Sequence, residues 1–220
     1  MRISTLLALV VALTGSFTAA TSTFAAEEQS CHFMPVADSA AGLQHSQNVG
    51  VLYSENTVSN IQYLQSYHSM ALKGAKNSTL DSRIRDAFVN SSDPQLAIDW
   101  LKASLQKQFA SVTVYDNLDA LVAAHPDVVV MLDTYNRLVT QRNTQVEARY
   151  IAKFYDANLQ YIGKAEGIGG KQMASVWVRD KAAPEIAAQI DQQREMQVNA
   201  LKQFDASLKA LVTSGQVAAN

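Results

Sequence analysis

Between Asp127 and Gly167 the sequence reads as three consecutive β-strands, and no other stretch limits the fold as tightly. In the first, Val128, Val130 and Leu132 share one face while Val129 and Met131 share the other, because strand side chains alternate with a period of two. Apolar residues on both faces predict a strand covered on both sides. The second strand alternates cleanly, with Val146, Ala148, Tyr150, Ala152 and Phe154 on a dry face and Glu147, Arg149 and Lys153 on a wet one. Asp156, Ala157 and Asn158 form a short turn, after which Leu159, Tyr161, Gly163 and Ala165 continue the dry face in an antiparallel third strand. The polar run from Thr140 to Gln145 is read as a hairpin connection between the first two.

Other elements gather around this meander. Val49, Val51 and Tyr53 alternate with Leu52, which predicts an earlier strand. From Thr57 to Leu72 two patterns compete. Ile61, Tyr63 and Tyr67 suit an extended run, whereas Ile61, Leu64, His68 and Leu72 suit a helix; the extended reading is preferred. Lys73 to Ser92 reads as a long excursion over the surface, in which Arg83 and Arg85 could meet an anionic group. Asp93 and Pro94 announce a helix by an acidic cap and a first-turn proline, with Ile98, Leu101, Leu105 and Phe109 on its packing face and Trp100 near the edge of the contact. Ser111 to Tyr115 follows as a short strand and Leu118 to Ala124 as a short helix, ended by a turn at His125 and Pro126. Pro184 opens a last helix to about Val212. Leu201, Phe204, Leu208 and Leu211 give its second half a clear stripe, but Arg194 and Gln197 interrupt the first half after Ile186 and Ile190. The fold class is therefore α+β: a mixed, mostly antiparallel sheet, with the helix after Pro94 and the long C-terminal helix packed on one face.

A chain of 220 residues, 48% hydrophobic, has enough apolar material for one proper core. The expected layout is a signal peptide over residues 1–25, a flexible arm over 26–48, a single α+β domain over 49–213 and a tail over 214–220. The leader assignment rests on Arg2, the apolar run from Leu6 to Leu13, and small residues ahead of a cleavage point after Ala25. Its apolar core is well short of the roughly 20 residues a spanning helix needs. Cys31 is the single cysteine, so an exported chain would fold without an internal disulfide. Glu28, Gln29 and Ser30 precede it where a lipobox requires small and aliphatic residues, which favours a free thiol over a lipid anchor.

The net charge of -2 and the absence of a basic run interleaved with aromatics argue against nucleic acid as a partner. His32, His45, His68 and His125 lie outside any nucleophile elbow, and no zinc or calcium spacing is present. Gly167, Gly169, Gly170 and Lys171 invite comparison with a phosphate-binding loop. The motif fails twice, at Ala165 where it needs glycine and at Gln172 where it needs serine or threonine, so the glycines are read as the exit from an edge strand. The sequence thus offers no catalytic residues, no cofactor and no metal. Met173 to Val178 is read as a further edge strand. If exposed, Val176, Trp177, Val178 and Arg179 make a contact patch of the aromatic-plus-arginine kind, and Arg194 and Gln197 mark a second one on the interrupted helix.

Three segments carry a family resemblance: VGVLYS at 49–54, LAIDWLKASLQKQF leading into SVTVYDN over 96–117, and HPDVVVMLDTY leading towards FYDANLQYIGKAEG over 125–167. In their order they resemble uncharacterised periplasmic or lipoprotein families of the Gram-negative envelope, whose fold is similar to the TolB amino-terminal domain, the curli-secretion lipoprotein and the lipoprotein activators of penicillin-binding proteins. The resemblance implies a non-enzymatic, periplasmic accessory or assembly protein that binds another envelope protein; whether the chain also pairs with a second copy of itself is left open. The residues keep two alternatives open. One is a binding module for a small amphiphile or envelope polymer, using Tyr63, Tyr67, Tyr150 and Tyr161 around a cleft. The other is a hydrolase with an unfamiliar triad, which would need a histidine beside a buried serine and a carboxylate.

Overall fold

The structure, a computed structural model, describes residues 42–76, 81–140, 142–175 and 181–218, all within one unit, Pro35–Asn220. The leader, Cys31 and the Val176–Arg179 patch lie outside the described residues. Five strands form one sheet: β1 (Asn48–Tyr53), β2 (Ser111–Val114), β3 (Val128–Arg137), β4 (Gln145–Asp156) and β5 (Tyr161–Gln172), in the order β2-β1-β3-β4-β5. β1 runs parallel to both β2 and β3, while the two long ladders, β3 with β4 and β4 with β5, are antiparallel. Five helices complete the fold: α1 (Glu55–Ala75), α2 (Ser82–Ser91), α3 (Leu96–Gln108), α4 (Leu118–Ala124) and α5 (Ala183–Ala218). The α+β class and the packing of α3 and α5 on one sheet face match the expectation from sequence.

That face holds the core. Val49, Val51, Val128, Val130, Leu132, Ala148, Tyr150, Ala152, Phe154 and Ala165 meet Leu101 and Leu105 of α3 and Leu201, Phe204, Leu208 and Val212 of α5. Asp205 of α5 locks the two helices together, accepting from Trp100 Nε1 at 3.0 Å and from the Ser104 hydroxyl. On the opposite face α4 brings Leu121 and Pro126 up to Gly50, where a Cβ would lie 2.9 Å from Pro126. Val129 is buried there, but Met131 is 37% exposed, so β3 is covered on both sides only at its start.

Several expectations are corrected. Thr57 to Leu72 is helical, not extended: Ser54 caps α1 by accepting the N–H of Thr57, and Glu55 stands in the first turn where the helix dipole favours it. The surface excursion from Lys73 to Ser92 contains the end of α1 and all of α2, whose Ile84 and Ala87 pack on Ala187 and Ile190 of α5. Asp93 accepts from Gln95 N at 2.9 Å, but α3 begins only at Leu96, with no side-chain cap. Leu159 belongs to the β4–β5 turn, with φ of 62° and 46% exposure, and is not on the dry face. Met173 to Ser175 is not strand. Leu43 is buried in the core and Gly42 lies against Gly215, so the fold starts before residue 49, and α5 runs on past 213.

Candidate binding surface

β3 outruns its parallel neighbour. β1 ends at Tyr53, opposite Leu132, which leaves β3 from Asp133 to Arg137 without a strand on that side. A strand edge buried without hydrogen-bond partners would be costly. α1 supplies them from side chains at helical spacing. The Thr57 hydroxyl donates to Leu132 O at 2.8 Å and accepts from Thr134 N at 2.9 Å. Asn60 donates to Asn136 O at 3.3 Å, Tyr63 Oη accepts from Leu138 N at 3.1 Å, and Tyr67 Oη donates to Val139 O at 2.8 Å. A helix thus stands in for the missing strand.

The far edge of the sheet is treated in the same way. α5 crosses β5 so closely that a Cβ on Gly167 would sit 1.9 Å from Ala200 O, and its side chains reach the strand edge. Ser207 Oγ accepts from Glu166 N at 3.1 Å and Gln203 Oε1 from Ile168 N at 3.4 Å. The glycines read as an exit from the strand are inside it, where Gly167 and Gly169 let the helix approach. β2, four residues long, is the remaining edge. Strand addition by a partner is therefore obstructed at β5, since edge N–H groups that a visitor would use are already engaged.

Of the residues expected to meet a partner, Arg194 is exposed and donates to Asn90 O at 2.9 Å, fastening α5 to α2. Gln197 is only 4% exposed and donates to Ser91 O, so it is internal and cannot form a contact patch. Gln193 beside it is buried as well, donating to the Ser91 hydroxyl at 2.7 Å and accepting from Val139 N at 2.8 Å. The break in the apolar stripe of α5 is thus a polar seam that holds α2 and the end of β3. The four tyrosines do not share a cleft. Tyr67 and Tyr150 are buried, Tyr161 packs edge-on to Tyr155, and Tyr63 alone lines a groove beside Tyr135. Burial pushes the Tyr67 and Tyr150 phenols far above their ordinary range, and burial also raises that of Tyr63.

His68 does touch a buried serine, with Nδ1 3.0 Å from Ser92 Oγ. That hydroxyl, however, is bonded to Phe88 O at 2.7 Å, and Ser92 is 0% exposed, so the contact ties α1 to the end of α2. His45 bonds to Gln108 O, and His125 ends α4 in the left-handed conformation at φ 48°. Among the described residues no group of three or more histidine, cysteine or acidic side chains could hold a metal. No helix among them is long and apolar enough to cross a membrane.

The surface that emerges is the sheet face opposite α3 and α5, over β3, β4 and β5. Met131 and Ile168 are exposed on it at 37% and 52%. Four residues along β3 from Met131, and in register with Arg149 and Ile168, the Tyr135 ring lies under two guanidinium groups, Arg137 at 5.9 Å and Arg149 at 5.4 Å from its centroid. Glu147 lies 3.6 Å from Arg137, and Lys164 pairs with Glu166 at 2.8 Å, so charges of both signs border the apolar residues. No signal short of the strand order could place these residues together, although the strand alternation already put Arg149 on the wet face.

No protein-family profile matches the chain, and no curated protein matches it. Among solved structures it is similar to the PelC dodecamer from Paraburkholderia phytofirmans, at 14% identity and a TM-score of 0.32, covering 72% of this chain and 94% of that one. A point variant of the same dodecamer is similar at 14% identity and a TM-score of 0.33, covering 74% and 94%. A TM-score this low says nothing of what this chain binds.

Proposed function

We propose that the protein is a non-enzymatic, exported accessory factor of the bacterial envelope that docks another envelope protein on its open sheet face. The observation that carries this reading is the set of Met131, Tyr135, Arg149 and Ile168 on the part of that face over β3, β4 and β5, beyond the Gly50 region that α4 covers. Exposed apolar side chains beside stacked tyrosine and arginine are the composition enriched at partner-binding surfaces. Export is supported by the leader-like run from Leu6 to Leu13. Docking by the flat face also suits a sheet whose β5 edge is occupied by α5.

The test is site-specific photocrosslinking in intact cells, with the reactive residue at Ile168 on the open face and at Lys202 on the outer side of α5. A single envelope protein captured from Ile168, absent from Lys202 and lost with Arg149→Glu, is the expected result. Equal capture from both positions, or none at Ile168, overturns the reading.

A further inference from the structure

Along the outer side of the α1–β3 seam the two elements leave a groove of about 390 Å³. Asn56, Ser59, Asn60 and Tyr63 of α1 form one wall, and Tyr135 and Arg137 of β3 the other. Small-molecule sites begin at roughly 300 Å³, so the space suits a compact ligand. Most of the surface it offers is carbon, from the tyrosine rings and side-chain stems.

At the β3 end of this groove two phenol protons are left without an acceptor. Tyr63 Oη accepts the Leu138 N–H at 3.1 Å, and Tyr135 Oη accepts the Nε–H of Arg137 at 3.0 Å. Each phenol oxygen is fixed by the bond it receives, while its own proton finds no acceptor among the described residues. A phenol donates as well as accepts, and a guanidinium only donates. Arg137 therefore adds further N–H groups, of which Nη1 faces Glu147 at 3.6 Å. It is also the one charged side chain among the residues lining the groove. Asp133, two residues before Tyr135 on the same strand, does not line the groove: its Oδ2 accepts from Asn56 Nδ2 at 3.4 Å, and its Oδ1 is buried without a hydrogen-bond partner.

We infer that this groove binds a small carboxylate with a flat, apolar body. The carboxylate oxygens accept from the Tyr63 and Tyr135 hydroxyls and from Arg137, and the body lies against the tyrosine rings. A neutral ligand would leave the excess of donors unanswered. A bare phosphate would find a single guanidinium and no use for the carbon walls, where a carboxylate matches one guanidinium in charge and shape. The groove shares Tyr135 with the docking face, but its test reads benzoate on the purified chain and not capture of a protein, so either reading can fail without the other.

Benzoate is the probe, titrated into the isotope-labelled mature chain and followed by NMR, with benzyl alcohol and inorganic phosphate as comparators at matched ionic strength. Saturable shifts at the Leu138 amide and at Tyr135 and Arg137 are expected, with benzyl alcohol and phosphate each at least ten-fold weaker. Arg137→Met is expected to weaken benzoate at least ten-fold, and Tyr135→Phe about three-fold. Tyr63→Phe is expected to act similarly, but Arg137→Met is the deciding variant because Arg137 makes none of the α1–β3 hydrogen bonds, so its loss leaves them intact. No saturable shift, equal binding of benzyl alcohol or phosphate, or unchanged affinity in Arg137→Met overturns the inference.

Discussion

Gly167 and the carbonyl oxygen of Ala200 are in direct contact across the β5–α5 interface, and a methyl group on Gly167 would come within 1.9 Å of that oxygen. Because the obstacle is helix backbone, α5 would have to lift away from the sheet. Gly167→Ala is therefore expected to destabilise the protein by about 3 kcal/mol, the upper end of ordinary overpacking. Gly169→Ala meets the movable Met196 side chain at 3.0 Å and should cost less, while Gly74→Ala, with nothing within 4 Å, should be neutral or stabilising. Denaturant midpoints of the three variants give the ranking.

Thr57 bridges two backbone groups of β3 and is 0% exposed. Thr57→Val keeps the shape and removes the hydroxyl, leaving Thr134 N–H buried without an acceptor. A loss of about 1–3 kcal/mol is expected, with Thr57→Ser retaining most of the stability. Equal midpoints for Val and wild type would show that the bridge contributes nothing.

Tyr67 and Tyr150 are neutral phenols held in the interior, their pKa values raised above the ordinary 10.0 chiefly by burial. A group whose folded pKa is raised contributes stability that is complete below its unfolded pKa and is lost as pH rises beyond it. Thermal stability should accordingly fall from about pH 10 upward, and the two phenols should ionise together with unfolding. Tyrosinate absorbance followed beside circular dichroism checks this; ionisation of all tyrosines ahead of unfolding would contradict it.

Ile168→Glu places a charge where the native side chain is already 52% exposed. The expected change in stability is within about 0.5 kcal/mol, as for other surface substitutions. Loss of the partner captured by a reactive residue placed instead at Met131, with an unchanged melting temperature, would separate docking from folding.

The meander was legible because its alternation is strict: Val146, Ala148, Tyr150, Ala152 and Phe154 are all buried, as their spacing says. α4 was legible from the turn that ends it at His125. α1 was not, and the reason is physical. A helix laid on a sheet face shows an aliphatic stripe, whereas α1 lies beside a strand edge and turns Thr57, Asn60 and Tyr67 inward to serve backbone groups. Read for hydrophobicity alone, that face looks like surface. Gln197 misled in the same manner, since its partner Ser91 lies 106 residues away in sequence. The groove beside Tyr63 needed α1 in place beside β3 and could not be assembled from the sequence.

The stand-in role of α1 has a kinetic consequence. The amides of Thr134, inside β3, and Leu138, just past its end, owe their protection from solvent exchange to helix side chains, through Thr57 and Tyr63. They can exchange only when α1 moves off, whatever the state of the ladder to β4. Their exchange rates, compared with that of an amide inside the β3–β4 ladder, would time the detachment of one helix in an otherwise intact molecule.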